Sequence, residues 1–135
     1  SDRAMFGTYQ QSNLRIELSA SAEQIRQSLI QPMLLKKWLW PQQINLPDVA
    51  DSELLVGQTF ESGLGPVTTV HKVDVLSSEG VRFLLSGSID GFHEWQWGEG
   101  WVQSRLEGIS LLPLNIGQTA SLFRLKQYLQ ANTNV

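Results

Sequence analysis

Two histidines, His71 and His93, are the side chains in this sequence whose ordinary pKa lies near neutrality, so proton transfer by an unperturbed group at pH 7 would run through one of them. Alternation around His71 places Val67, Thr69, His71, Val73 and Val75 on one strand face, and Thr68, Val70, Lys72, Asp74 and Leu76 on the other. The first set is expected to face inward. There His71 would be either a hydrogen-bonded neutral histidine or a proton donor and acceptor. His93 shares a strand face with Trp95 and Trp97. His93-Glu94 matches half of a zinc-protease motif, but the second histidine at helical spacing is missing and the segment reads as a strand. A metal would need carboxylates such as Glu61, Asp90 or Glu94 to converge on two histidines, and none is expected.

Other chemistries drop out by inspection. Without cysteine there is no disulfide, thiolate nucleophile or cysteine-based metal site. No Gly-x-Ser-x-Gly elbow occurs, and Gly63-Leu64-Gly65-Pro66 is too short, and lacks a following helix, to cradle a phosphate or dinucleotide. Glu94 and Glu99 straddle a turn and are read as solvated carboxylates, not a glycosidase pair. No cofactor is implied. A net charge of -3 without a Lys/Arg run argues against nucleic acid as a partner, and Lys36-Lys37 reads as a solvated helix face.

These side chains need elements to hold them. Leu14 to Leu18 alternates as a strand, and Ser21 can then cap a helix carrying Ile25, Leu29 and Ile30. Pro32 opens a second short helix through Leu35, Trp38 and Leu39, stopped by Pro41. Gln42 to Leu55 is a loop. A meander follows, with strands at Thr59 to Ser62, Val67 to Leu76, Val81 to Ile89, Phe92 to Trp97 and Trp101 to Leu112, separated by glycine-bearing turns. Ile116 to Gln130 is a closing helix with Ala120, Leu122, Phe123, Leu125 and Leu129 on its apolar face. The 135 residues suit one domain spanning 1–135. No apolar run nears the roughly 20 residues that span a bilayer, and Ser1 to Met5 has no signal-peptide apolar core, so a cytoplasmic protein without a transmembrane segment is expected. Nothing in the pattern speaks to oligomeric state.

The order strand, two helices, meander, long helix resembles the helix-grip fold of the START/Bet v 1-like (SRPBCC) superfamily, polyketide cyclase/dehydrase-like members above all. The residues that carry the resemblance are the Leu14 to Leu18 strand running into Ala22 to Ile30, Trp38-Leu39-Trp40-Pro41, and the Gly57 to Phe60 strand. Gly63-Leu64-Gly65-Pro66 before a strand and Leu122 to Leu129 complete it. The resemblance implies an α+β fold, a curved antiparallel sheet wrapped around the C-terminal helix, with a cavity between them for lipids, polyketides or polycyclic molecules.

On that basis the expected ligand-binding residues are Trp38, Phe60, Thr69 and His71, with Phe83, Leu85, Trp95, Trp97 and Phe123. Phe83 and Trp95 are expected to approach Phe123, and the polar candidates are Thr69, His71, Arg82, Glu94, Ser104 and Tyr128. The same aromatics could instead fill a dry core. Three functions stay open: a binder of a small hydrophobic ligand, a cyclase or aromatase acting on such a ligand, and a chaperone-cofactor-like interaction module anchored by exposed Trp38, Trp40 or Trp101.

Overall fold

The computed structural model describes residues 7–39, 42–47, 49 and 51–133. Strand β1 (Thr8–Glu17) leads into helices α1 (Ala22–Ile30) and α2 (Pro32–Trp38). Strands β2 (Gln43–Ile44), β3 (Thr59–Leu64), β4 (Val67–Leu76), β5 (Gly80–Gly87), β6 (Asp90–Gly98) and β7 (Trp101–Ser110) follow, and α3 (Leu114–Thr133) closes the chain. All seven strands form one antiparallel sheet in the order β1-β7-β6-β5-β4-β3-β2. This is an α+β helix-grip arrangement: a curved sheet, two short helices after the first strand and a long C-terminal helix. Among the described residues no helix is long and apolar enough to cross a membrane.

Local chemistry explains most boundaries. Ser21 Oγ accepts from Gln24 N while the Gln24 side chain accepts from Ser21 N, a reciprocal cap that starts α1. Pro32 sits in the first turn of α2, where its missing N–H leaves no bond unmade. Trp40 and Pro41, assigned above to the end of α2, lie outside the described residues. β1 begins six residues before the apolar alternation at Leu14, because Thr8 to Asn13 is polar and pairs with β7 through its backbone. The Gln10 side chain serves the same junction, accepting from Leu114 N at 2.9 Å and donating to Leu112 O at 2.7 Å.

Two expectations are corrected. Val75 does not face inward: the β4–β5 register steps from Val73 opposite Phe83 to Val75 opposite Arg82, a bulge at Asp74 that turns Val75 out to 52% exposure. Leu76 takes the inward position opposite Val81. On α3 the buried stripe is Leu114, Gln118, Leu122, Leu125 and Leu129, which rotates the apolar face away from Phe123 and leaves that ring 60% exposed. Phe123 therefore does not meet Phe83 and Trp95.

The core is held across layers by Trp38. Its indole Nε1 donates to Ser28 O of α1 at 2.8 Å, and its ring meets Trp95 of β6 edge-on at 6.2 Å. Its carbonyl accepts from Arg124 Nε of α3 at 2.9 Å. α3 itself rests mainly on β1 and β7, at one side of the sheet. The segment expected as a loop, 42–55, is not loop throughout, since Gln43–Ile44 pair with β3 as β2, and its other described parts are tied down: Asn45 N donates to Glu61 O, Lys36 Nζ to Leu46 O and Leu54 N to Ile30 O, with Leu46 and Leu54 buried.

The β6–β7 pairing sets Gly91 opposite Gly108, and a Cβ at Gly91 would lie 1.9 Å from Glu107 O. Gly117 in α3 has open space where its Cβ would be. Gly91→Ala is thus expected to lower stability by about 3 kcal/mol in urea unfolding, because backbone must separate to admit the methyl. Gly117→Ala is expected to raise it by about 0.5–1 kcal/mol through helix propensity. Equal midpoints for the two variants would contradict the tight β6–β7 crossing.

Candidate functional site

The inward side chains of β3 to β7, the helix pair α1/α2 and the start of α3 enclose a cavity of about 320 Å³. That volume is within the usual range for small-molecule sites, roughly 300–1,000 Å³. Strand alternation supplies the walls: Phe60 from β3, Phe83 and Leu85 from β5, Trp95 from β6 and Leu106 from β7. Leu29, Leu35 and Trp38, all buried, form the end beneath the short helices. Leu64, Leu112, Pro113 and Gly117 line the cavity and are exposed, which places its mouth between the β3–β4 turn and the start of α3.

Polar groups interrupt this apolar surface at a few points. Ser62 Oγ is 2.8 Å from His71 Nε2, the His71 ring stacks on Phe60 at 4.7 Å and 4°, and Phe83 meets both edge-on. Thr69 Oγ1 is 2.6 Å from Ser88 Oγ. His93 Nε2 is 2.6 Å from the fully buried Ser104 Oγ, and the His93 ring lies 4.6 Å from that of Trp95. Gln118 Nε2 reaches Ser104 Oγ, Ser104 O and Ser12 O at 3.0, 3.0 and 3.1 Å. Its Oε1 is buried with no donor among the described residues. No Lys, Arg, Asp or Glu is among the described residues that line the cavity.

Burial keeps both histidines neutral, lowering His71 from 6.5 to about 4. Burial, reinforced by the nearby His71, lowers His93 to about 3. A neutral imidazole can give one proton and take one, so each Ser–His pair could relay a proton at pH 7 without carrying charge. Among the described residues no group of three or more His, Asp or Glu side chains comes together as a metal site would require.

Of the nine residues expected from the sequence, Trp38, Phe60, Thr69 and His71 line the cavity, as do Phe83, Leu85 and Trp95. Trp97 and Phe123 do not. Trp97 shares the inward face but is buried beyond the cavity, with Nε1 donating to Ser78 O at 3.0 Å; Phe123 is on the outer side of α3. Among the polar candidates, Ser104 reaches the site as the bridge between His93 and Gln118. Arg82 and Glu94 belong to the outward face, where they pair in register and Arg82 lies 4.2 Å over Phe92 and 3.6 Å from Asp74. Tyr128 packs half-buried beside the core and is not among the lining residues.

Sequence reasoning overlooked Ser62, Ser88 and Gln118, and passed over His93 as a wall residue. Alternation could have found the serines, since Ser62 follows Phe60 by two. Gln118 carried the clearer signal: it stands four residues after Leu114 and four before Leu122, a polar side chain inside an apolar helical stripe.

No family model matches the chain, and no curated protein matches it. Solved structures do. Protein CV1439 from Chromobacterium violaceum is similar with a TM-score of 0.70 at 18% identity, covering 89% of this chain and 97% of that one. The Aha1 dimer from Colwellia psychrerythraea gives 0.67 at 23% identity, over 93% of this chain and 99% of that one. DynU16, from the dynemicin biosynthetic locus, gives 0.65 at 12% identity, over 90% of this chain but 48% of its own length. At these identities the fold alone is shared.

The lowered histidines make stability depend on pH. Unfolded, each binds a proton near 6.5, while in the folded chain each stays neutral down to about 4 or about 3. Between those values the unfolded state holds more protons, so stability is complete above pH 6.5 and falls as pH drops toward 4. Urea midpoints from pH 7 to 4.5 should show this decline, and His71→Gln should flatten it by up to about 1.4 kcal/mol per pH unit. Identical slopes in the two proteins would mean that His71 titrates normally in the fold.

Proposed function

We propose that this chain is a START/Bet v 1-like domain spanning 1–135, of the polyketide cyclase/dehydrase-like kind and working in the cytoplasm, that binds a hydrophobic small molecule of lipid, polyketide or polycyclic type. The observation that carries this reading is the cavity of about 320 Å³, walled by Phe60, Phe83, Leu85, Trp95 and Leu106 with only a few fixed polar groups among them. A domain of this size could have closed such a space with larger side chains, since interiors normally pack to crystal-like density. Transfer of an apolar guest from water into these walls is favoured by about 25 cal/mol per Å² of apolar surface covered.

A second reading, a cyclase or aromatase acting on such a guest, is favoured by the Ser62–His71 pair at the cavity wall and by His93, which also lines it with the buried Ser104 behind. In it the walls would hold a reactive chain in a folded pose and the neutral imidazoles would move protons. An interaction module anchored on tryptophan has less support. Trp38, Trp95 and Trp97 are buried, and Trp101 lies under Arg15, whose guanidinium carbon is 4.0 Å from its ring centroid.

The test is retention. After incubation with lipid and polyketide extracts, native mass spectra of the protein should show a bound small molecule. Ser121→Phe, which adds a ring from α3 at the cavity wall, should abolish it at unchanged thermal stability. Spectra of the bare chain under every condition would remove the ligand-binding reading; turnover of a retained substrate that His71→Gln abolishes would select the enzyme.

A further inference from the structure

Gly117 is a glycine that neither backbone conformation nor crowding requires. Each other glycine except Gly63 either takes a positive φ or has an atom within 3.0 Å of the point where a Cβ would stand, and Gly63 has Val67 O at 3.5 Å. Gly117 lies inside α3, and the place of its Cβ has no atom within 4 Å. Alanine would fit there and would favour the helix. A residue that weakens its own helix and relieves no close contact directs attention to the space it leaves empty.

That space belongs to the cavity mouth. Leu114, Gly117, Gln118 and Ser121 recur at i, i+3, i+4 and i+7, which is one face of the helix, and all four line the cavity. Leu114 and Gln118 are buried and Ser121 is half-buried, whereas Gly117 is exposed, so it stands where the lining face reaches solvent. The Cα–Cβ bond of a helical residue tilts toward the helix N-terminus, here toward Pro113 and Leu114, which also line the cavity. Leu64 of the β3–β4 turn and Leu112 ahead of α3 are exposed apolar residues on the same rim. A side chain at position 117 would narrow this opening.

We propose that Gly117 is the portal residue of the cavity: its missing side chain keeps open the passage through which an apolar guest enters and leaves, so position 117 sets the rate of exchange and the width of the guest admitted, while the inner walls set affinity. The portal rests on the ligand-binding reading of the cavity and adds the route to it. A group that obstructs only the passage raises the barrier equally in both directions, so association and dissociation slow together and Kd is kept. A group intruding on the bound guest itself weakens Kd instead, mainly through faster dissociation.

Stopped-flow fluorescence of the intact chain with N-phenyl-1-naphthylamine, an uncharged apolar probe excited through Trp38 and Trp95 at the cavity wall, reads both rates. Gly117→Leu should slow association and dissociation together by about tenfold, the effect of crowding a passage with a branched side chain, with Kd held within about twofold. Gly117→Ala should slow them less, and its methyl, which has open space, carries the test where leucine disturbs the fold. Ala120→Leu, exposed on α3 and outside the lining, should change neither rate. Parent-like rates in both Gly117 variants, a weakened Kd at an unaltered association rate, or equal slowing by Ala120→Leu would each overturn the portal while leaving the cavity a ligand site. A parent chain that binds neither this probe nor the smaller naphthalene would remove the ligand-binding reading, and the portal with it.

Discussion

Trp38 is the contact on which the rest of this architecture depends. Through one indole and one carbonyl it joins α1, α2, β6 and α3, fixing the short helices against the sheet and the long helix against both. α3 bears mainly on β1 and β7, so its far side is held off β3, β4 and β5. The inward rings of those strands then face space instead of a helix. A strut at one end and an open mouth at the other make a cavity the natural consequence of the packing, with Trp38 and Trp95 at its closed end.

Within that space the polar groups are few and each is positioned by backbone. Ser62 and His71 sit on paired strands, as do His93 and Ser104, and pairing register brings the members of each pair within hydrogen-bonding distance. Gln118 is held by carbonyls of two strands, which is as firm an anchor as a helix side chain can have. Desolvation keeps both imidazoles uncharged, so the interior presents directed hydrogen bonding without a net field. Such an environment distinguishes guests by hydrogen-bond pattern and shape.

Much of the fold was legible because its signals are local. The Leu14 to Leu18 alternation, the Ser21 cap, Pro32 and the glycine turns mark elements whose types and order match those observed, and β4 was bounded at Val67 and Leu76. The departures come from interactions at a distance. The polar half of β1 is a strand only because β7 lies beside it, and the Asp74 bulge answers to the β5 register, neither of which the segment itself encodes. The site was legible in its apolar walls, where period two sorts inward from outward residues. It was hidden where the helix phase had to be known: a small rotation of α3 exchanged Phe123 for Gln118, and with it an aromatic contact for a hydrogen-bonding one.

A crystal of the protein exposed to pressurised xenon tests the central claim most directly, since apolar cavities take up xenon and close-packed cores do not. The account predicts a xenon peak, or density for a retained small molecule, among Phe83, Trp95 and Leu106. Side chains meeting across that volume, with neither xenon nor other density between them, would contradict it.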